Sequence, residues 1–234
     1  MSDIFHEVEE DLRRERMKKA WDRYGIYVLG AAVLIVLVTA GWRGYEAWRV
    51  SSERAAGETY IEVLDQVQGA GTESTAQALE QYADSAPAGY AMLAKFRAAT
   101  AFADLGNTDQ AVTLLNEIAD ERDNLAIYRD LARIRLAQIY LNNSDPSSAK
   151  AAIGPIAQDA GNAYTLTAQE LMGLAAYMEN NVPEARRWFT SLQDAALSTQ
   201  AAKQRARLML ALLTQISGAG DTASAGESAA QETN

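Results

Sequence analysis

A single histidine, His6, and the absence of cysteine in 234 residues leave this chain few ways to do chemistry. A nucleophile–histidine relay or a multi-histidine metal site in the body of the chain fails on residue count, and thiol catalysis and thiolate ligation are excluded. The strongest acidic cluster in the body of the chain is Glu117, Asp120, Glu121 and Asp123. These carboxylates lack the ligand alternation of a calcium loop. No apolar surroundings that would drive their pKa values apart can be read beside them, so they are read as solvating a turn. No catalytic residue, cofactor site or metal site is expected.

What remains is side-chain chemistry suited to binding. Tyr90, Tyr128, Tyr164 and Tyr177 combine an apolar ring with a hydrogen-bonding tip, and Arg97, Arg133 and Arg135 offer charge to an acidic partner. The competing readings are packing for the tyrosines and solvation or intrachain ion pairs for the arginines. Nucleic acid is not an expected partner. The net charge is -10, and from Val50 onward 13 Lys and Arg stand against 23 Asp and Glu, so phosphate is repelled at long range.

The elements that would carry these side chains begin with an uncharged run, residues 25–42, rich in Val, Leu, Ile and Ala. As a helix its 18 residues rise about 27 Å, close to the hydrocarbon thickness of a bilayer. Trp21, Tyr24 and Tyr27 open the run and Trp42, Tyr45 and Trp48 close it, as rings at headgroup level do. A lipid-spanning helix is the expectation, with a buried core helix as the alternative. Arg13, Arg14, Arg16, Lys18, Lys19 and Arg23 precede the run, against Arg43, Arg49 and Arg54 after it, which places the N-terminus in the cytoplasm. In a bacterium the following domain is then periplasmic and the anchor lies in the inner membrane. An uncleaved anchor is preferred over a cleaved signal because the apolar stretch exceeds the usual signal h-region and no good small-x-small site follows it before Trp42 and Arg43.

The sequence divides into a leader (1–23), a transmembrane helix (24–43), a helical domain (44–217) and a flexible acidic tail (218–234). In the leader, Ile4, Val8 and Leu12 recur every four residues, and a role in recruiting a cytoplasmic protein competes with plain helical periodicity. In the domain, long and short helical stretches alternate. Ser74 or Thr75 is the expected cap of one helix, Asn107 with Gln110 a capping box, Asp145-Pro146 a cap and first-turn proline, and Asn181 with Glu184 a second box. A last helix from about Thr199 to Ile216 is expected to pack through Leu208, Leu212 and Leu213.

The alternation is a repeat. Ala111, Ala149 and Ala185 recur at spacings of 38 and 36 residues, each followed four positions later by a large apolar residue (Leu115, Ile153, Phe189) and three beyond that by Ile118, Ile156 and Leu192. Twelve positions before each alanine stand Ala99, Ala137 and Gly173, where a small side chain admits close helix contact. A weaker fourth copy places Ala78 and Tyr82 in the corresponding positions. The period lies just above the roughly 34 residues of tetratricopeptide repeats. The fold class expected is all-α: one N-terminal transmembrane helix followed by a tetratricopeptide-like α-solenoid.

With its acidic-then-basic leader, single crossing and Ala-rich repeats, the chain resembles the tetratricopeptide-like family, and in layout the YfgM-like ancillary proteins of the SecYEG translocon. Pro155, inside a repeat helix, and the lengthened loops depart from that pattern. The resemblance implies a non-enzymatic periplasmic interaction module beside the Sec translocon. Its implied partners are SecYEG, periplasmic chaperones and emerging secretory clients. A scaffold for another envelope assembly complex is the alternative.

Overall fold

The computed structural model of the chain describes residues 3–67 and 73–231, and every regular element among them is helical. Two compact units divide the chain, Met1–Thr59 and Tyr60–Asn234.

The first unit is built on helix α1 (Asp3–Val67). Its apolar segment is long and hydrophobic enough to cross a membrane. Leu29, Leu34, Ile35, Leu37 and Val38 are exposed along it, which is the opposite of what a core helix shows. A polar group inside the run has its partner: the Thr39 hydroxyl donates to the Ile35 carbonyl at 2.7 Å, the bond that a hydroxyl would need if the run lay in hydrocarbon. Indole packing closes one edge, where a Cβ on Gly25 would lie 3.3 Å from the Trp21 ring. At the other edge the Tyr45 and Trp48 rings stand 6.2 Å apart. The side chains of Ile4, Val8 and Leu12 lie outside the described residues.

In the second unit, Tyr60, Val63 and Leu64 of α1 pack with α2 (Glu73–Ser85) and α3 (Ala88–Asp104). There follow α4 (Thr108–Asp120), α5 (Ala126–Asn142), α6 (Pro146–Gln158), α7 (Thr165–Met178), α8 (Val182–Asp194) and α9 (Gln200–Gln231). From α2 onward each helix packs on the next, and α5 also touches α7. The second-helix positions of the three main copies are buried: Ala111, Ala149 and Ala185; Leu115, Ile153 and Phe189; Ile118, Ile156 and Leu192. Each large side chain so buried contributes about 1.5–3 kcal/mol. The helices are held as pairs because no single stripe can be covered alone.

The turn within each pair is the same object three times. Gly106, Ser144 and Asn180 hold left-handed backbone (φ 82, 60 and 59°), and the next residue's N–H reaches back to the Phe102, Tyr140 and Ala176 carbonyls at 2.8, 2.8 and 2.9 Å. This is a Schellman closure, and it delivers Asn107, Asp145 and Asn181 as the caps of the following helices. Asp145 accepts from the Ser148 N–H at 3.0 Å and Asn181 from the Glu184 N–H at 3.2 Å. The Ser148 side chain first, and then its backbone N–H, hold the Asp145 carboxyl below its usual range.

Several sequence expectations are corrected here. Asn107 occupies the cap position without a side-chain cap bond, and Gln110 instead donates across to Glu80 at 2.7 Å, tying α4 to α2. The second box is half formed: the Glu184 carboxylate meets the Asn181 side-chain amide at 2.9 Å while the Asn181 N–H goes to Ala176. Ser74 and Thr75 lie inside α2, which already runs from Glu73. In that helix Ala76, not Ala78, is the fully buried alanine. Gly69 and Gly71, the expected stop of α1, fall outside the described residues. Pro155 does not break α6. The carbonyl it leaves without an intrahelical donor belongs to Ala151, a residue on the exposed side of the helix. Helical backbone in α9 continues past Ser217 to Gln231.

Candidate protein-interaction surface

Placed on the repeat, the binding candidates fall into rows. Tyr90, Tyr128 and Tyr164 each stand nine residues before the small residue Ala99, Ala137 or Gly173, so they occupy one position in successive units. The structure uses most of them for packing. The Tyr90 ring lies 6.0 Å from Tyr60, which in turn lies 5.8 Å from Tyr82. Burial, followed by its two tyrosine neighbours, raises the Tyr82 phenol above its ordinary pKa. Tyr164 caps α7, half-buried against the Ile153 cluster, with its N–H donating to Asn162 Oδ1 at 2.9 Å. Tyr177 packs beside Ala176 and Phe189. Tyr128, 37% exposed and flanked by exposed Leu125 and Ile127, keeps a ring available to a partner.

The arginines separate in the same way. Arg133 is taken internally: its guanidinium pairs with Asp130 at 3.0 Å and donates to the Ala119 carbonyl at 3.3 Å, clamping α5 to the end of α4. Arg97 and Arg135 are exposed at equivalent positions, two before Ala99 and Ala137. Arg135 makes only a 3.3 Å contact with Gln138 on its own helix. Four residues earlier stand Leu93, exposed, and Leu131, half-buried, each one turn along from its arginine. Read from the sequence as part of the apolar stripes of their helices, these leucines are not among the binding candidates, although the recurrence of Leu-x-x-x-Arg at 93–97 and 131–135 is the signal. In the next unit the arginine position is Leu171, which is buried, so this row ends there.

The acidic group also finds its place. An open groove of about 700 Å³ between the start of α3 and the end of α4 is lined by Ala88, Met92 and Ile118 together with Glu117, Asp120 and Glu121. Glu117 is paired with Lys95 at 2.6 Å. In the following unit Asp130 takes the place of Met92 and accepts from Asn162 at 2.7 Å.

The ion pairs with most structural consequence lie deeper in the array. Lys150 on α6 reaches Glu179 and Glu184, both at 2.8 Å, joining three helices at one ammonium. Those carboxylates hold Lys150 above its ordinary pKa, and Lys150 holds Glu184 below its own. The sign of the pH dependence follows. Glu184's contribution is full above the unfolded carboxyl value near 4.5 and is lost as pH falls through its depressed folded value. Lys150's contribution is full below 10.5 and is lost as pH rises through its elevated one. Lys150→Met is therefore expected to cost about 1 kcal/mol between those limits and progressively less on either side. Urea unfolding at pH 3, 7 and 11 measures it, and a pH-independent difference would count against the pair.

The tetratricopeptide repeat-like domain family matches the chain over residues 18–225. The comparisons with curated proteins and with solved structures return no match. Folds of this class are scaffolds for protein partners and are typically non-catalytic. The match covers most of the chain, and the stacked pairs α3–α4, α5–α6 and α7–α8 carry the repeat it describes: the chain belongs to the tetratricopeptide repeat-like domain family.

Proposed function

We propose that this protein is a membrane-tethered interaction module, anchored through residues 24–43 with its N-terminus in the cytoplasm. Its repeat domain then lies in the periplasm of a bacterial cell, where it links the Sec translocon to periplasmic chaperones or emerging secreted chains. The observation that carries the reading is an exposed apolar helix joined to a repeat domain that leaves Arg97 and Arg135 exposed and without a carboxylate partner among the described residues. The basic residues before the run favour the orientation, and the likeness in layout to YfgM-like proteins favours the partner. Tethering contributes by concentrating the domain at one membrane machine. Arg97 and Arg135, each with its leucine one turn away, suit an acidic, partly apolar segment. Tyr128 adds an aromatic contact.

Photocrosslinkers at Leu93, Arg97 and Tyr128 in intact membranes test this. Translocon subunits or nascent secretory chains are the expected products, with about tenfold less capture at Leu93 and Tyr128 when Arg97→Glu and Arg135→Glu are combined. Capture confined to another envelope machine would replace the translocon reading with that of a scaffold for that complex.

A further inference from the structure

Charge is divided unevenly along the repeat domain. From Val50 to Asn181, 8 Lys and Arg stand against 18 Asp and Glu, whereas from Val182 to Ser217 the balance reverses to 5 against 2. Helices α8 and α9 are the basic end of an acidic array, and positions 195–220 hold no carboxylate side chain.

The fold gathers three of these cations on one side. Lys203, Arg207 and Thr214 stand at i, i+4 and i+11 and so share a face of α9. Arg186 of α8 donates from Nη1 to the Thr214 hydroxyl at 3.2 Å, which adds its guanidinium to that face. None of the three cations has a carboxylate partner among the described residues. The neighbouring cations are engaged elsewhere: Arg205 is held by Glu170, with Nε to Oε1 at 2.6 Å, and Arg187 lies 5.3 Å over the Trp188 ring. Leu208 and Leu212, expected from the sequence to close the core with Leu213, are 71 and 36% exposed, and of the three only Leu213 is buried in the cluster of Phe189 and Leu192. An exposed leucine therefore adjoins Arg207.

We propose that this end of the domain, through Arg186, Lys203, Arg207 and Leu208, is a contact for an anionic bilayer surface. The inference rests on the tether proposed above, which keeps a bilayer near every copy of the domain. Unpaired cations beside anionic headgroups attract, and an exposed leucine adds apolar contact at the headgroup boundary. The preceding helices are repelled by the same surface, because carboxylates outnumber cations there by more than two to one, so the domain approaches with α8 and α9 first. An acidic protein segment is the competing occupant. The bilayer is favoured because the chain brings it along, and because Leu208 gives the face an apolar contact that charge pairing alone does not use.

The lack of native cysteine permits a single label. In full-length protein held in lipid nanodiscs, a fluorophore on Leu208→Cys is expected to be quenched by headgroup spin-labelled lipid at least about fivefold more in discs of about one third phosphatidylglycerol than in phosphatidylcholine alone. A label on Thr113→Cys, an exposed position of α4, should show no such excess. Arg207→Gln should lower the excess about fivefold, and Arg207→Gln with Lys203→Gln should abolish it, with the thermal unfolding midpoint unmoved because neither side chain has an ion pair to lose. Equal quenching in the two discs, an excess that survives the double change, or an equal excess at Thr113→Cys would each overturn the bilayer contact and leave the anchor standing. Failure of the chain to enter phosphatidylcholine discs would instead overturn the anchor, and this contact with it. A photocrosslinker at Leu208 that captures an acidic protein and no lipid in intact membranes would also overturn the contact, assigning the face to that protein.

Discussion

Replacing Phe189 with alanine is expected to destabilise the repeat domain by about 3–5 kcal/mol, the range for emptying a buried phenylalanine site. The ring is buried between α7 and α8, in the cluster of Ala176, Ala185, Leu192, Ala206 and Leu213. It also fills the volume that a side chain at position 173 would need: a Cβ on Gly173 would lie 2.9 Å from Phe189 Cζ. Because Gly173 offers nothing to collapse into the vacancy, the cavity term adds to the lost transfer energy. The converse change, Gly173→Ala, gains about 1 kcal/mol of helix propensity but must push the ring aside, at a cost of about 1–3 kcal/mol. The two changes therefore cannot add. In a double-mutant cycle followed by circular dichroism in urea, Gly173→Ala should be stabilising in the Phe189→Ala background and neutral or destabilising alone. Additive effects, or a Phe189→Ala loss under about 1 kcal/mol, would show that the ring is not the filler.

How far this arrangement could be read from residues alone depends on the distance over which each feature is decided. The Ala–Leu–Ile stripe at 111, 115 and 118 and its copies are local periodicities repeated three times, and all are buried as read. Asp145 and Asn181 announce themselves as caps because a proline stands one or two residues beyond each. Asn107 has the same local pattern with Gln110, yet Glu80, from another helix, claims the glutamine, and a contact 30 residues away leaves no local trace. The same reason separates Arg133 from Arg97 and Arg135. Its partners Asp130 and the Ala119 carbonyl include one 14 residues upstream, so three similar arginines divide into one structural and two exposed. In α9 the ambiguity is geometric. Leucines and isoleucine line two sides of the helix, and only the position of α8 decides that Leu213 faces inward and Leu208 outward.

Two arginines in the apolar run, Leu34→Arg with Leu37→Arg, are expected to release the protein from the membrane. The run holds nine Ile, Leu and Val residues, which at roughly 0.3–0.6 kcal/mol each favour insertion by about 3–5 kcal/mol. Each arginine near the helix centre costs about 2.5–3.5 kcal/mol, and Leu34 lies at the middle of residues 25–42. The pair therefore outweighs what the seven remaining aliphatic side chains supply. Both leucines are exposed in their unit, so no packing is lost with them. The repeat domain has its own buried clusters from Tyr60 onward and should melt unchanged. Carbonate extraction separates the outcomes. Wild type should sediment with membranes and the double variant should appear mainly in the supernatant with its helical signal intact. Equal sedimentation of the two would mean that something other than residues 25–42 holds the protein at the bilayer, and the tether on which the proposed function depends would have to be sought elsewhere in the chain.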